Sequence, residues 1–222
     1  MLGCELYLID KDIEEIAIIL KEICCVTPKE ENYSKKYLNG REPNTNVDIV
    51  PPVQLNTEKW IKIEHTKFDL YKCLPLETNA RIVKILLWKP RKHKKTVLFA
   101  NSDILTIIYN INRIRKLAIT GIMLDLDLPG EDHYLPCYYF EHWNKDNSFR
   151  LVRVMCDPRW VFYEEGERFP FEQVEKYNER IKKKRLTNDM IKDYVTAMGW
   201  NIRDEGFFDS DQDAVFITVK RW

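Results

Sequence analysis

The apolar positions of this 222-residue chain change their spacing repeatedly, and each change marks an element. Cys4 to Ile9 reads as a short strand. Ile13, Ile16, Ala17, Leu20 and Cys24 then recur at helical spacing, behind Asp10 or Asp12 as cap, with acids in the first turn where the helix dipole favours them. Pro28 stops that helix, and the polar residues 27 to 57, with Pro43, Pro51 and Pro52, predict a long loop or linker. Trp60 to Ile63 and Phe68 to Tyr71 suggest two strands. Ala80 to Trp88 is almost continuously apolar, and its β-branched content predicts a strand. The polar turn 89 to 95 and the returning run Thr96 to Ala100 complete a hairpin.

Asn101 or Ser102 is expected to cap a helix from Asp103 to about Lys116, with Leu105, Ile108, Tyr109 and Asn112 along one side. Ala118 to Leu128 alternates as a strand and ends at Pro129-Gly130. Pro136 to Trp143 predicts an aromatic strand. Phe149 to Met155 and Arg159 to Tyr163 predict a hairpin across Asp157-Pro158, closed at Gly166. Pro170-Phe171-Glu172 reads as the start of a helix running to about Lys184. Thr187 caps a further helix whose apolar face is Met190, Ile191, Tyr194, Val195 and Met198, and Gly199 ends it. Ala214 to Val219 is the last strand.

Strands in consecutive hairpins and helices in separate blocks predict an α+β fold, a predominantly antiparallel sheet with helices packed mainly on one face. Residues 1–57 are expected to supply an N-terminal strand–helix and polar linker. Residues 58–222 form the main α+β domain, and the two make one compact unit.

Composition narrows the function classes. Lys+Arg and Asp+Glu are both 35, so the formal charge is zero, which weakens a general nucleic-acid reading. Six cysteines without a C-x-x-C pair read as reduced thiols. The apolar run Ile16 to Leu20 follows four acids and does not resemble a signal peptide, and no run reaches the roughly 18 residues of a membrane span. A cytoplasmic protein is expected. Seven glycines and no Gly-rich phosphate loop speak against nucleotide enzymes, and no cofactor or metal is expected. Asp209, Asp211 and Asp213 alternate as in a calcium loop, yet Ala214 stands where the glycine belongs and Lys220 where the bidentate Glu belongs.

The candidate surface is acidic and aromatic. Asp125 and Asp127 alternate with leucines, and Glu131 and Asp132 follow. Asp204, Glu205, Asp209 and Asp211 form a second acidic group, with Trp143 and Trp200 as aromatic anchors. These ten residues are the expected partner-binding set, and no catalytic residue is expected. The alternative is a metal-assisted hydrolase using Asp125, Asp127, Asp132 and His133. A third reading uses the basic runs 89 to 95 and 180 to 185 as phosphate contacts. His142 and Cys137 are five residues apart, which puts them on opposite faces of a strand.

The pattern V-R-V-M-x-D-P-R-W-x-F-x-E-x-G-E-x-x-P-F-E from Val152, then K-K-K-R-L-T, then Y-V-T-A-M-G-W, resembles a group of little-characterised bacterial proteins of immunity-protein type. The resemblance spans roughly the C-terminal third and includes no catalytic motif. It implies a bacterial, cytoplasmic protein that binds a cognate protein toxin. A basic toxin surface would complement the acidic groups.

Overall fold

The computed structural model describes residues 3–24, 55–61, 82–100, 104–125, 137–208, 210 and 214–220. The described strands are β1 (Gly3–Ile9), β2 (Leu55–Ile61), β3 (Ile82–Trp88), β4 (Thr96–Ala100), β5 (Ile119–Asp125), β6 (Cys137–Trp143), β7 (Phe149–Cys156), β8 (Trp160–Glu165) and β9 (Ala214–Lys220). They form one nine-stranded sheet in the order β2-β9-β3-β4-β1-β5-β6-β7-β8. Every described pairing is antiparallel. The expected α+β class is therefore the observed one. β1 lies between β4 and β5, so the N-terminal strand belongs to the same sheet as the downstream chain. Residues 55–57, expected to end the linker, open β2 instead, because they pair with β9. The expected strand at Phe68 to Tyr71 lies outside the described residues.

The three described α-helices are α1 (Ile13–Cys24), α2 (Leu105–Arg115) and α3 (Asn188–Ala197). α1 and α2 share one face of the sheet: Ile13, Ile16, Ile19 and Leu20 of α1 and Ile107, Ile108 and Ile111 of α2 pack on Tyr7, Ile9, Ile85, Leu87, Leu98, Ile119 and Ile217. The alternate strand residues, among them Leu6, Leu8, Phe99, Ile122, Phe140, Val152 and Val154, point the other way. They pack on Met190, Ile191, Tyr194 and Val195 of α3. This opposite layer is completed by short 3-10 turns at Val174–Asn178 and Glu205–Phe208.

Local chemistry explains the ends of α3. The Thr187 hydroxyl accepts from the Met190 N–H at 3.3 Å, and Gly199 takes the left-handed φ of +83° just beyond the C-terminus. α2 departs from expectation. Leu105 and Tyr109 are exposed, and the buried stripe runs through Ile104, Ile107, Ile108 and Ile111. Asn112 is also buried, and it is satisfied because its amide donates to the carbonyls of Leu117 (2.8 Å) and Asn144 (2.9 Å). The expected caps Asn101 and Ser102 lie outside the described residues. Ile104 occupies the N-cap, with no side-chain cap bond.

The expected helix from Pro170 to Lys184 is absent. Only the 3-10 turns Val174–Asn178 and Lys182–Lys184 form there. The segment instead wraps around Arg150, a β7 residue whose side chain is almost fully buried. Arg150 Nε donates to Glu172 Oε1 (2.9 Å) and one Nη to Glu172 Oε2 (2.6 Å), with Glu164 2.7 Å from the same Nη. The other Nη donates to the carbonyls of Glu165 and Gly166. Glu172 also accepts from the Phe169 N–H and the Tyr177 hydroxyl. A side chain used this way sets its own backbone, and the ion pair overrides helix periodicity.

Gly166 closes the wrap at φ +85°, where an added Cβ would meet the Phe149 carbonyl oxygen at 2.0 Å. Gly166→Ala is expected to cost about 2 kcal/mol or more through backbone strain and displaced Arg150 acceptors. A urea melt of the variant measures it, and an unchanged midpoint would show that the turn relaxes freely.

Candidate functional site

Of the ten expected partner-binding residues, Asp125, Trp143, Trp200, Asp204 and Glu205 are among the described residues. Asp125 is the last residue of β5, opposite Gly3, and its side chain lies outside what is described. Asp127, Glu131, Asp132, Asp209 and Asp211 lie outside the described residues, as does His133 of the hydrolase alternative. Glu205 begins a 3-10 turn, and its side chain is likewise not described. Asp204 is exposed and shapes that turn by accepting from the Gly206 N–H at 2.7 Å.

The two tryptophans are corrections. Trp143 (9% exposed) packs near Tyr7 in the layer beneath α1 and α2. Trp200 (3% exposed) lies in the opposite layer, with His93 stacked on it and the Lys95 ammonium 5.0 Å from its ring centre. Both rings are drawn into the core by their apolar area, so neither is a solvent-facing anchor.

The basic runs are also used internally. The Arg91 N–H donates to the Gly206 carbonyl, while Lys183 and Arg185 lie over Trp160 and Phe162. His142 and Cys137 do occupy opposite faces. His142 Nδ1 meets the Thr120 hydroxyl at 2.8 Å and its ring packs on Phe169, and burial holds its pKa below the ordinary value.

A different surface stands out. Among the described residues, β7 and β8 are packed against helices and turns on one face only. Val152 and Val154 belong to the α3 layer, with Trp160 and Phe162 packed against it. On the opposite face, none of the buried residues beneath α1 and α2 comes from β7 or β8. Phe149 (37%), Val161 (44%) and Tyr163 (42%) are exposed there, although large hydrophobic residues usually favour the interior.

The same sheet face carries an ordered polar set from five strands, buried at Tyr7, Met123 and Tyr139 and exposed at Tyr163. One row crosses Glu5, Met123, Tyr139, Arg153 and Tyr163 as cross-strand neighbours. The next crosses Tyr7, Gly121, Glu141, Leu151 and Glu165. At the buried end, Glu5 accepts from the Tyr7 hydroxyl at 2.7 Å and from the Tyr139 hydroxyl. Burial, then the Glu5 charge, pushes both phenols above their usual pKa, so they stay protonated donors. At the exposed end, Arg153 lies 6.0 Å from the centre of the Tyr163 ring, and the Tyr163 hydroxyl donates to Glu165.

Glu141 sits between these ends. Its carboxylate lies across Gly121, where an added Cβ would be 2.5 Å from Oε1 and 2.8 Å from Cγ. Burial, reinforced by Glu5 and opposed by Arg153, pushes its pKa up to about 8. Glu141 Oε1 and Arg153 Nε are buried without a hydrogen-bond partner. Buried polar atoms are nearly always paired, so two unmet ones on one face single this place out.

Sequence reading missed this surface because its residues are distant along the chain. The available signal was β7 itself, where Phe149, Leu151 and Met155 alternate with Val152 and Val154. Both faces of the strand are apolar, as for a strand that is covered on both sides. Among the described residues, no group of three or more His, Cys, Asp or Glu is placed to hold a metal ion, and no helix is long and apolar enough to cross a membrane. Comparison with protein-family models, curated proteins and solved structures returned no match.

Proposed function

We propose that this chain is a non-enzymatic protein-binding module, a bacterial cytoplasmic immunity protein that neutralises a cognate toxin by occluding its active site. The observation that carries the reading is the open half of the sheet, where exposed Phe149, Val161 and Tyr163 flank Arg153 and Glu165. Tyrosine, phenylalanine and arginine are residue types enriched in interface centres, and a rigid sheet presents them at little entropic cost. The occupant we assign is a basic protein surface. Glu165, exposed on this face, complements it, and the C-terminal resemblance points to the same class of partner. This face takes the role that the sequence had given to Asp125, Asp127 and the acidic group around Asp204.

The tagged chain, used as bait in source-cell lysate together with products of neighbouring genes, is expected to retain a stoichiometric protein that is toxic alone and harmless when co-expressed. The double substitution Phe149→Lys and Tyr163→Lys is expected to weaken that complex by about a hundredfold or more, since central aromatic anchors each contribute about 2 kcal/mol. Its melting temperature should stay close to that of the parent, because both side chains are exposed. A complex untouched by the double substitution would remove this face from the interface.

A further inference from the structure

The two ends of the sheet, β2 and β8, are built differently. The pairing of β2 with β9 shifts register between Glu58 and Ile61, the kind of irregularity that interrupts an edge. β8 pairs with β7 without interruption from Trp160 to Glu165. Among the described residues, no backbone other than that of β7 bonds to this strand. A regular edge of this kind presents a row of unpaired N–H and C=O groups. The strand sequence WVFYEE has no Pro, Gly or Lys to break further pairing, and its aromatic and β-branched residues favour extended chain. None of its residues is buried: Val161 (44%), Tyr163 (42%) and Glu165 are exposed, and Trp160, Phe162 and Glu164 are part-exposed.

The charges along β8 select what can pair there. Glu164 is already engaged, by Arg150 at 2.7 Å and by Arg168 at 2.6 Å. That leaves exposed Arg159 immediately before the strand and exposed Glu165 at its end. A strand with a cation at its start and an anion at its end is complementary to itself when the two run antiparallel. We infer that β8 pairs with β8 of a second copy of this chain, antiparallel about a two-fold axis at Phe162, so that one sheet runs through both copies. In that register Arg159 of each copy stands opposite Glu165 of the other, and Val161 stands opposite Tyr163. Opposed residues of an antiparallel pair lie on one face, so the exposed apolar residues cover each other there, while Phe162 meets its own copy on the other face. The interface is isologous, so each favourable pair occurs twice. A shift of two residues either way would set Glu165 opposite Val161 or Asp157 and lose both ion pairs. The pairing needs no toxin, so it stands or falls apart from the docking reading.

The test is sedimentation equilibrium of the whole chain over a wide concentration range, without any other protein, together with backbone amide exchange. A reversible monomer–dimer equilibrium is expected, with exchange at outward-facing β8 amides slowing as the chain is concentrated. Arg159→Glu and Glu165→Arg should each weaken the dimer about tenfold or more, because each sets like charges opposite one another at both ends of the pair. Arg159→Glu combined with Glu165→Arg should recover the parent affinity. An equimolar mixture of the two single variants should also dimerise, since each brings the charge that the other lacks. A chain monomeric at every concentration, a dimer whose β8 amides exchange as in the monomer, or a double variant as weak as either single would each overturn the edge pairing. Amide exchange on the parent needs no variant, so it decides even if a substitution disturbs the hairpin. Protection of β8 only when a captured protein is added would also overturn it, and would assign the edge to that protein.

Discussion

Glu172→Ala is expected to lower the unfolding free energy by about 3–5 kcal/mol, the range seen when one member of a buried ion pair is removed. The size follows from what is left behind. Arg150 and Glu172 side chains are 2% and 0% exposed, so the guanidinium loses its two-point partner and cannot recover it from water. Glu164 holds only one of its nitrogens, and Glu164 is also engaged by Arg168 at 2.6 Å. Phe169 N–H and the Tyr177 hydroxyl lose their acceptor at the same time. Replacing both charges together, Arg150→Met with Glu172→Leu, should recover much of the loss, because the uncompensated charge causes most of it. Chemical denaturation of the single and double variants measures both quantities. A single-variant loss below about 1 kcal/mol would mean that the wrap around Arg150 does not hold the hairpin.

That wrap also shows what the sequence could and could not convey. The strands were legible because alternation and β-branched runs are local: the β3–β4 and β7–β8 hairpins pair as their spacing predicts. α1 and α3 were legible for the same reason, through one apolar face and a Thr187 cap. The segment after Pro170 misled because Pro170-Phe171-Glu172 has the form of a helix entry, yet its conformation is set by an arginine on another element. Helix propensity is a weak prior, and a buried ion pair outweighs it. The helix faces were only half legible. Two of the three described α-helices share a face, but α3 and the 3-10 turns cover part of the other. Among the described residues, none of the buried set beneath α1 and α2 comes from the β7–β8 corner.

The site was the least legible part. Acidic residues close in sequence drew attention to Asp125 and to the group around Asp204. The groups that share one sheet face are Glu5, Gly121, Glu141, Arg153 and Tyr163, one from each of five strands. Their convergence depends on strand order, with β1 inserted beside β5, and no local spacing encodes that order. Trp143 and Trp200 failed as surface anchors for a related reason: each ring is covered by elements remote from it in sequence. For an aromatic ring, residue type alone does not separate core from interface, because the same apolar area suits both.

Glu141→Gln should make the protein more stable at alkaline pH and change it little at acidic pH. Burial and the Glu5 charge raise the folded-state pKa of Glu141 to about 8, against 4.5 for the unperturbed group. Between those values the folded chain binds more protons than the unfolded one, so this group's contribution to stability falls as pH rises from about 4.5 and levels off above about 8. Glutamine resembles the protonated acid in shape and does not titrate. The two proteins should therefore be similar near pH 4.5 and diverge above it, with the variant ahead by roughly 2–4 kcal/mol at pH 8.5. Other groups drop out of the difference. His142, whose pKa is lowered first by burial, weakens the fold as pH falls below its ordinary range. Glu164, whose pKa is lowered first by its bond from Arg168, acts in the same acidic direction in both proteins. Paired denaturation curves from pH 4.5 to 8.5 measure the divergence. Parallel curves would mean that Glu141 is solvated and ordinary in solution. A widening gap would show that this sheet face holds a buried carboxylate at a standing cost to the fold, as the desolvation of its charged form requires.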